Sequence, residues 1–415
     1  MTVRGVIDLG TDRVKQVLSS LDHPEARIAR KQIVHVTGTN GKGSTVEMIA
    51  TGLAALGNKV GVFTSPFLIQ ETDSIRIFER ETITEISESE LVRLRDNAVS
   101  QFCRDALTDF EALFVAAILF FSAQSLDVAV IEVGMGGRED ATNVFQSSRI
   151  RPPICVLTSV SLDHEKFLGP TIEHICDHKC GIVQEGALFV VNANIAHTCK
   201  DIVNKRVAEM HAKVKYVSGD DFVSPLNGQH QKMLTAIAIA VIREIESQVS
   251  TEEAIAAVAR TKLPGRLERR FDCPVVPFPV ILDGAHNAES AVALRKFIDA
   301  ELVSANKSKT VWIIATSEGR QGIVPILVQD TDDVLFISFK SFSNTAHWVR
   351  ACDPSVLANQ LSAEHTGSTS TLPDKYIADA LSIVSKRRDL DDCLVVVAGS
   401  LYLVRNYLIH LANSR

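Results

Sequence analysis

The sequence predicts an α/β fold in two domains, each built on a mostly parallel sheet, and three observations support this prediction. Short apolar, β-branched runs alternate with helical segments, the order typical of parallel sheets covered on both faces. A glycine-rich loop stands between one such run and a helix. A proline-rich stretch then separates two series of strands. We therefore expect a first domain at 1–262, a linker at 263–279 and a second domain at 280–415.

The glycine-rich loop, within HVTGTNGKGSTVEMIA at 35–50, predicts a phosphate-binding loop. It contains three glycines, Gly38, Gly41 and Gly43. Glycine leaves backbone N–H groups open to an anion, and Lys42 adds a mobile positive charge. A helix expected to begin at Ser44 and to end at Gly57 adds its positive dipole end. The pattern is close to G-x-x-x-x-G-K-[ST], with one extra glycine after the lysine; a solvated glycine-rich turn is the alternative.

Polar side chains follow three apolar strands of the first domain. They are Ser65 after KVGVFT, Glu132 at the end of VAVIE, and Asp163 and His164 after LTSVSL. Because ligands collect at the carboxyl ends of parallel strands, we expect these side chains to lie near the phosphate loop. Hydroxyl, carboxylate and imidazole groups can bind Mg²⁺, with water and phosphate oxygens completing its coordination shell. Their shared position favours a metal and nucleotide site over separate structural roles.

A second series of strands is expected after the proline-rich stretch. Its four apolar runs are PVILD from 279, KTVWII from 309, DVLFISF from 333 and CLVVVA from 393. No internal repeat or low-complexity segment is visible in the sequence. The two series are therefore expected to form separate α/β domains.

Composition predicts a globular cytoplasmic enzyme that binds small molecules; we expect a monomer, although composition does not determine the oligomeric state. The 415 residues are 46% hydrophobic, enough for two or three cores, and the net charge of −7 argues against nucleic acid as the main partner. Eight cysteines occur without C-x-x-C pairs and without a signal or transit peptide pattern, which indicates a reducing compartment. The longest apolar run, residues 112–121, is about half as long as a membrane helix.

The segment HICDHKC at 174–180 suggests an alternative metal site. His174 and His178, like Cys176 and Cys180, are spaced i, i+4, which can present two ligands on one helix face. At 100° per residue the two pairs point about 160–200° apart, so four ligands cannot converge. A helix with buried thiols and exposed imidazoles is the favoured interpretation.

Eight ordered motifs resemble those of one enzyme family. In chain order they are HVTGTNGKGS, FTSPFL, FEALFVAAILFF, IEVGMGGREDATN, LTSVSLDHEKFLGPTIEHICDHKCGI, LPGRLE, LDGAHN and AGSLYLV. They are similar to the successive motifs of the folylpolyglutamate synthase and dihydrofolate synthase family, within the Mur ligase superfamily, and they span almost the whole chain. The resemblance implies a P-loop ATP-binding domain followed by a smaller, Rossmann-like glutamate ligase domain. It also implies that ATP activates a carboxylate as an acyl phosphate, which the amino group of glutamate attacks to form an amide.

The resemblance further implies roles for residues in both domains. ATP contacts are implied for Gly38, Thr39, Asn40, Gly41, Lys42, Gly43, Ser44, His230, Gln231, Arg266 and Asp283. A first Mg²⁺ is implied at Ser44, Ser65 and Glu132, and a second at His164 and Lys179. Catalytic roles are implied for Lys42, Lys179, Arg266 and His286. Lys179 of the K-x-G-I motif is expected to be carbamylated, which turns a cation into a metal-binding carboxylate, and domain closure is expected to shield the acyl phosphate from water.

Several positions depart from the family pattern. Phe67 stands for the histidine of TSPHL, Ser74 lies where an arginine is usual, and Leu234 replaces the asparagine of H-Q-x-x-N. Because of these departures, the family pattern does not determine the pterin and adenine contacts. The sequence DSI at 73–75, and Asn40 where polyglutamate-extending enzymes tend to carry lysine, favour a fungal-type dihydrofolate synthase.

The leading hypothesis is therefore the addition of L-glutamate to 7,8-dihydropteroate, giving dihydrofolate, ADP and phosphate. One alternative is a folylpolyglutamate synthase that extends the glutamate tail of reduced folates, or an enzyme with both activities. The phosphate loop alone would also permit a P-loop kinase or a nucleotide-binding module without catalysis.

Overall fold

Both parts of the chain adopt an α/β architecture, as the sequence predicts. The computed structural model describes residues 8–28, 30–100, 107–145, 152–273, 276, 279–341 and 349–413. The chain divides into two compact units. One comprises Met1–Pro225 and His230–Lys262, and the other comprises Leu226–Gln229 and Leu263–Arg415. Each unit contains a mostly parallel sheet, which confirms the predicted fold class.

The sheet of the first unit has eight strands among the described residues. They are β1 (Gln32–Thr37), β2 (Lys59–Phe63), β3 (Ile75–Glu79), β4 (Thr82–Glu85), β5 (Val128–Glu132), β6 (Ile154–Leu157), β7 (Leu188–Asn192) and β8 (Lys213–Val217). Their order across the sheet is β4-β3-β2-β5-β1-β6-β7-β8. Strands β2, β5, β1, β6, β7 and β8 run parallel, whereas β3 and β4 are antiparallel to their neighbours.

Helices cover both faces of this sheet. They are α1 (Asp12–Ser20), α2 (Pro24–Ile28), α3 (Lys42–Ala55), α4 (Glu88–Ser100), α5 (Asp109–Ser122), α6 (Glu165–Leu168), α7 (Ile172–Cys180), α8 (His197–Glu209), α9 (Gln229–Ile245) and α10 (Thr251–Val258), with a 3₁₀ turn at Glu71–Ser74. The apolar residues of α5 pack on one face and those of α3 and α9 on the other. Strand β1 lies between β5 and β6, so the loops after these strands meet at one edge of the sheet.

The second unit has a sheet of six strands within the described residues. They are β9 (Glu268–Arg270), β10 (Val280–Asp283), β11 (Lys309–Ile314), β12 (Asp333–Phe336), β13 (Thr369–Thr371) and β14 (Cys393–Ala398), in the order β13-β12-β11-β14-β10-β9. The helices are α11 (Ala288–Ser304), α12 (Val324–Leu327), α13 (Pro354–Ala358), α14 (Ile377–Val384) and α15 (Leu401–Asn413), with 3₁₀ turns at Gln321–Ile323 and Leu390–Asp392. Only β9 runs antiparallel within this described sheet, against β10.

Local details refine the sequence predictions. Helix α3 begins at Lys42, two residues before the predicted Ser44, because Gly41 adopts a left-handed conformation and the helical turn starts directly after it. Gly57, with φ of +98°, follows the end of this helix as predicted. Part of the predicted linker, Glu268–Arg270, forms the edge strand β9, while linker residues 274, 275, 277 and 278 lie outside the described residues. None of the described helices combines the length and apolar character needed to cross a membrane.

Candidate active site

The loop between β1 and α3 has the backbone of a phosphate-binding loop. Gly38 and Gly41 have φ angles of +154° and +83°, which L side chains rarely adopt. A Cβ atom on Gly38 would lie 1.8 Å from Thr158 Oγ1, and one on Gly41 would lie 2.6 Å from a methyl carbon of Leu234. Both positions therefore require glycine, for backbone conformation and for space.

Hydrogen bonds hold this loop against the segment that follows β6. The N–H groups of Thr39 and Asn40 donate to the carbonyl and hydroxyl oxygens of Ser159, each at 2.9 Å. Thr158 Oγ1 donates to the carbonyl oxygen of Asn40 at 2.6 Å. Two N–H groups that the resemblance assigns to the nucleotide thus point to Ser159. The first N–H groups of α3, which have no acceptor within the helix, are the better candidates for phosphate contacts.

Lys42, the first residue of α3, folds its side chain back over the loop. Its Nζ lies 3.1 Å from the carbonyl oxygen of Gly38 and 3.3 Å from that of Thr39. The ammonium group is therefore held beside the loop backbone, within reach of an anion bound there.

Two predicted Mg²⁺ ligands, Glu132 and Ser65, lie at neighbouring strand ends, and a third, Ser44, lies in the first turn of α3. Glu132, the last residue of β5, is 5% exposed, and its Oε2 accepts the N–H of Ser65 at 3.2 Å. A Cβ atom on Gly43 would lie 3.7 Å from the same carboxylate oxygen, so Glu132 adjoins the start of α3, next to Ser44. Ser44 and Ser65 add hydroxyl oxygens, and such oxygen ligands fit Mg²⁺.

This oxygen set would need a nucleotide to complete it. In the part of the chain that the structure describes, no group of three or more His, Cys, Asp or Glu side chains is arranged to hold a metal ion. Mg²⁺ is commonly bound by one or two carboxylates together with substrate phosphates. The residues present fit an Mg²⁺ ion that arrives with a nucleotide phosphate.

Lys179 is buried on α7, and burial lowers its pKa to about 7. The positive charge of Lys42 lowers that pKa further, while Asp163 and Asp140 oppose the shift. Above about pH 7 the side chain is therefore mostly a neutral amine, unlike an ordinary lysine. Lys42 therefore lies close enough to Lys179 to influence its pKa.

Asp163 and His164 follow β6, the strand beside β1, and precede α6. Asp163 is 6% exposed and accepts the N–H of His164 at 2.8 Å. His164 adopts a left-handed backbone conformation, with φ of +54°, directly before α6, and its Nε2 lies 3.9 Å from an oxygen of Asp163. Asp163 thus acts electrostatically on both predicted ligands of the second Mg²⁺. The sequence places Asp163 among the strand-end side chains that could bind Mg²⁺, although the family resemblance gives it no ligand role.

The alternative zinc site on α7 is not supported by the side-chain positions. Cys176 and Cys180 are fully buried, with their sulfur atoms 4.0 Å apart, and they pack in the core beneath the helix. His174 is exposed, and its Nδ1 pairs with the hydroxyl of Thr171 at 2.9 Å. The thiols therefore face the apolar core, whereas the imidazole of His174 faces solvent.

A buried polar network behind β5 escaped the sequence analysis. Asp140 accepts the N–H of Met135 at 2.7 Å and that of Thr142 at 3.0 Å, while burial raises its pKa. The hydroxyl of Thr142 lies 2.8 Å from Nε2 of His35, whose pKa burial lowers to about 3. The network fixes the loop that follows Glu132. It joins residues about 100 positions apart, which no local motif reveals.

The positions that depart from the family pattern have structural roles. Asp73 accepts the N–H groups of Leu68, Ile69 and Gln70 at 2.7–3.2 Å, which fixes the loop that carries Phe67. Ser74 is fully buried. Leu234, which is 5% exposed, packs against Gly41 of the phosphate loop.

Two predicted adenine contacts begin α9. His230 is exposed, whereas Gln231 is 1% exposed and its Nε2 donates to Ser44 Oγ at 3.3 Å. Gln231 thus meets the phosphate loop rather than open solvent. The predicted contact of His230 with adenine stays a prediction.

The predicted site residues of the second unit lie together at its own sheet edge. Asp283, the last residue of β10, accepts the N–H groups of Leu267 and Ala285, each at 2.8 Å. Burial raises the pKa of Asp283, and the charge of Arg266 opposes that shift. His286 Nδ1 lies 2.9 Å from the carbonyl oxygen of Gly284. The structure therefore brings Arg266, Asp283 and His286 into one group within this unit.

Fold and site define a class of protein, the Mur-type ATP-dependent ligases. Residues 36–266 match the model of the Mur ligase middle domain, and residues 273–410 match that of the dihydrofolate synthetase C-terminal domain. The chain belongs to the dihydrofolate synthetase and folylpolyglutamate synthase family, which confirms the resemblance. It is accordingly an ATP-dependent ligase of that family.

Relatives cover nearly the whole chain. A probable dihydrofolate synthetase of Schizosaccharomyces pombe is 31% identical, over 96% of this chain and 97% of its own length. The dihydrofolate synthetase of Saccharomyces cerevisiae is 29% identical, over 99% of both chains. Escherichia coli FolC in complex with DHPP and ADP is 26% identical, with a TM-score of 0.77 over 99% of this chain and 94% of its own. A Yersinia pestis bifunctional enzyme complexed with AMPPNP and Mn is also 26% identical, with a TM-score of 0.77 over 98% and 94%.

Proposed function

We propose that this chain is a dihydrofolate synthase, which uses ATP to join L-glutamate to 7,8-dihydropteroate through an acyl phosphate. The observation that carries the proposal is the gathering of Lys42, Glu132 and the buried Lys179 around one phosphate loop. Anionic reactants and an anionic transition state need cations, backbone amides and positioning rather than a protein nucleophile. We further infer that the enzyme acts as a cytoplasmic monomer on small molecules.

The choice of dihydropteroate rests on the relatives and on the loop sequence. The two fungal relatives described above are named dihydrofolate synthetases and match over nearly their full length. The DSI sequence at 73–75 points the same way, and the structure gives Asp73 a defined role in ordering the adjacent loop. A bifunctional enzyme is the second candidate, because a Bacillus subtilis protein named dihydrofolate synthase/folylpolyglutamate synthase is 29% identical over 95% of this chain.

The first unit supplies groups for ATP and metal. Lys42 and the first N–H groups of α3 would bind the β- and γ-phosphates, and Ser44, Ser65 and Glu132 would hold Mg²⁺. The bound ion would neutralise charge on the phosphate oxygens during transfer. The predicted roles of Arg266, Asp283 and His286 in binding the nucleotide and in catalysis remain part of the proposal.

Lys179 would serve as a carbamate, and with His164 it would hold a second Mg²⁺. The neutral amine attacks CO₂, a nitrogen–carbon bond forms, and one proton is released to solvent. Burial and the charge of Lys42 favour the neutral amine that this step requires, since they lower the pKa of Lys179 to about 7. The product is a carboxylate in a site where Lys42 supplies positive charge.

A paired assay tests the proposed function. Purified protein is given ATP, Mg²⁺ and L-glutamate, with either 7,8-dihydropteroate or tetrahydrofolate as acceptor, and phosphate and folate products are measured. We expect phosphate release and dihydrofolate only when dihydropteroate and glutamate are both present. The Lys42→Ala variant is the control for contaminating ligase activity.

The outcomes separate the alternatives. Turnover with tetrahydrofolate alone would indicate a folylpolyglutamate synthase, and turnover with both acceptors a bifunctional enzyme. A phosphorylated product that is stable without glutamate would indicate a kinase. Nucleotide binding without turnover on either acceptor would contradict a catalytic role.

A further inference from the structure

A buried amide contacts the predicted metal ligand Ser44. Gln231, in the first turn of α9, is 1% exposed, and its Nε2 donates to Ser44 Oγ at 3.3 Å. Its Oε1 is buried and makes no hydrogen bond. Ser44 is itself 2% exposed. An amide oxygen without a partner, directly beside a hydroxyl group, requires an explanation because nearly all buried polar atoms are hydrogen-bonded.

We infer that Gln231 is a positioning residue for Ser44 and does not contact the adenine base. The inference rests on the proposed function, because it takes Ser44 as an Mg²⁺ ligand. Its new content is that the Gln231 amide determines where the hydroxyl proton of Ser44 points. Through that proton it determines which lone pair Ser44 offers to the cation.

The hydrogen-bonding capacities of the Ser44 hydroxyl and the Gln231 amide explain this role. A hydroxyl has one proton and two lone pairs, whereas an amide has a donor end and an acceptor end of nearly the same shape. When a lone pair of Ser44 binds a cation, its proton needs an acceptor on the other side. A half-turn of the Gln231 amide, a soft two-fold torsion, brings Oε1 to Ser44 and Nε2 away from it.

This half-turn gives the amide oxygen its missing partner. Ser44 then donates to Gln231 Oε1, which leaves electron density on Oγ for the metal. Cation binding at Ser44 would therefore favour the turned amide, and the turned amide would favour cation binding. The backbone of Gln231 stays in place during this turn, because it lies in the first turn of α9.

Burial also argues against a base contact. A side chain that is 1% exposed and faces Ser44 cannot reach a nucleobase without leaving its place beneath the phosphate loop. Leu234, one turn further along the helix, covers Gly41 with an apolar side chain. This end of α9 therefore supports the phosphate loop.

Mn²⁺ affinity provides a test that does not depend on turnover. The Gln231→Met variant keeps the length of the side chain but removes both the donor and the acceptor. Free Mn²⁺ is followed by electron paramagnetic resonance while protein and AMPPNP are titrated, and ADP binding is measured separately in EDTA. We expect Mn²⁺ to bind about 10–100-fold more weakly, with metal-free ADP binding changed less than about twofold.

The matched control is Thr235→Val, which removes a buried hydroxyl one turn further along α9. It should leave Mn²⁺ affinity within about twofold of the parent, and circular dichroism should show that both variants are folded. In the double variant Ser44→Ala/Gln231→Met, the two losses should not add, because both act through one oxygen.

Contrary results have distinct meanings. Unchanged Mn²⁺ affinity in Gln231→Met, with weakened affinity in Ser44→Ala, would overturn the role of Gln231 and leave the metal site standing. Equal weakening of Mn²⁺ and metal-free ADP would also overturn it. Unchanged Mn²⁺ affinity in Ser44→Ala would show that the proposed ligand set is wrong, and the role of Gln231 would fall with it.

Discussion

Two lysines, one in each unit, show how the same side chain is put to different uses. Burial and the like charge of Lys42 lower the pKa of Lys179 to about 7. Hydrogen bonds that Lys309 donates to the carboxylates of Asp333 and Asp389 raise the pKa of Lys309 above its usual value. Lys179 lies near a second positive charge, that of Lys42, which disfavours its protonated form. Lys309 is matched by carboxylates of its own chain.

The difference follows the two edges of a parallel sheet. Lys309 and Asp333 are the first residues of β11 and β12, and their side chains meet at 2.9 Å, with Arg387 pairing to the same aspartate at 2.5 Å. Glu132 and the phosphate loop instead follow the carboxyl ends of their strands, where ligands bind in such sheets. The oppositely charged side chains around Lys309 stabilise the fold. The like charges of Lys42 and Lys179 repel each other, and a bound anion would reduce that repulsion.

Replacing Lys42 should have the largest effect on activity. The Lys42→Ala variant loses the mobile cation at the phosphate loop, so we expect ligation to fall by ~10²–10³-fold or more. Initial rates of dihydrofolate formation measure this loss. Lys309→Ala is the matched control and should keep normal turnover per folded molecule. Near-normal turnover in Lys42→Ala would contradict the assignment of the phosphate loop.

Removing the charge of Glu132 should have the next largest effect. Glu132→Gln keeps the shape of the side chain but weakens Mg²⁺ binding, so activity should fall about 10–100-fold and recover in part at high Mg²⁺. Rates are measured across a range of Mg²⁺ concentrations. Asp389→Asn, at the amino edge of the second sheet, should leave that dependence unchanged. If Glu132→Gln also leaves it unchanged, then Glu132 is not a ligand.

In the second unit, replacing a buried charged residue should lower the stability of the fold and leave catalytic activity unchanged. Asp332 is 2% exposed and pairs with Arg295 at 2.9 Å and with Trp312 Nε1 at 3.0 Å. Asp332→Ala leaves buried Arg295 short of a partner and should cost about 3–5 kcal/mol in the free energy of unfolding. Urea unfolding monitored by tryptophan fluorescence measures this, with turnover of the folded protein unchanged at low temperature. An unaltered unfolding midpoint would show that this pair does not hold the unit together.

The smallest expected effect concerns pH. Hydrogen bonds from Lys309 and Ser368 outweigh burial and lower the pKa of Asp333 to about 2 in the folded protein. The unfolded chain binds a proton near the usual value, so this stabilisation is present above about pH 4 and is lost as pH falls toward 2. The stability difference between the parent and Asp333→Asn should shrink over that interval. A difference that stays constant between pH 5 and pH 2 would contradict the ion pair.

Patterns local in sequence predicted the strands and the phosphate loop. The apolar runs ending at Phe63, Glu132 and Leu157 became the parallel strands β2, β5 and β6, of which β5 and β6 flank β1 and β2 lies beyond β5. The rule that ligands gather at carboxyl ends therefore located Ser65 and Asp163. Glycine spacing predicted a loop whose φ angles and clearances exclude other residues at two positions. These features depend on nearby residues and on general rules of sheet topology.

Contacts between distant segments could not be predicted in the same way. Gln231 and Ser44 are 187 positions apart, and the hydrogen bond between them is visible only after α9 packs on α3. The N–H groups of Thr39 and Asn40 carry no sequence signal that they bind Ser159. The low pKa of Lys179 likewise depends on burial and on Lys42, far away in the chain. The identity of a side chain predicts which interactions it can make. Packing of distant segments determines which residue becomes its partner.

The most direct test of the central claim concerns Lys179, because its use as a carbamate depends on the buried, low-pKa environment in the first unit. Dihydrofolate formation is measured for Lys179→Ala with and without added acetate, beside the parent and Lys309→Ala. The account predicts a folded but nearly inactive Lys179→Ala protein whose rate acetate restores in part, and no effect of acetate on Lys309→Ala. Full activity of Lys179→Ala without acetate would contradict the claim.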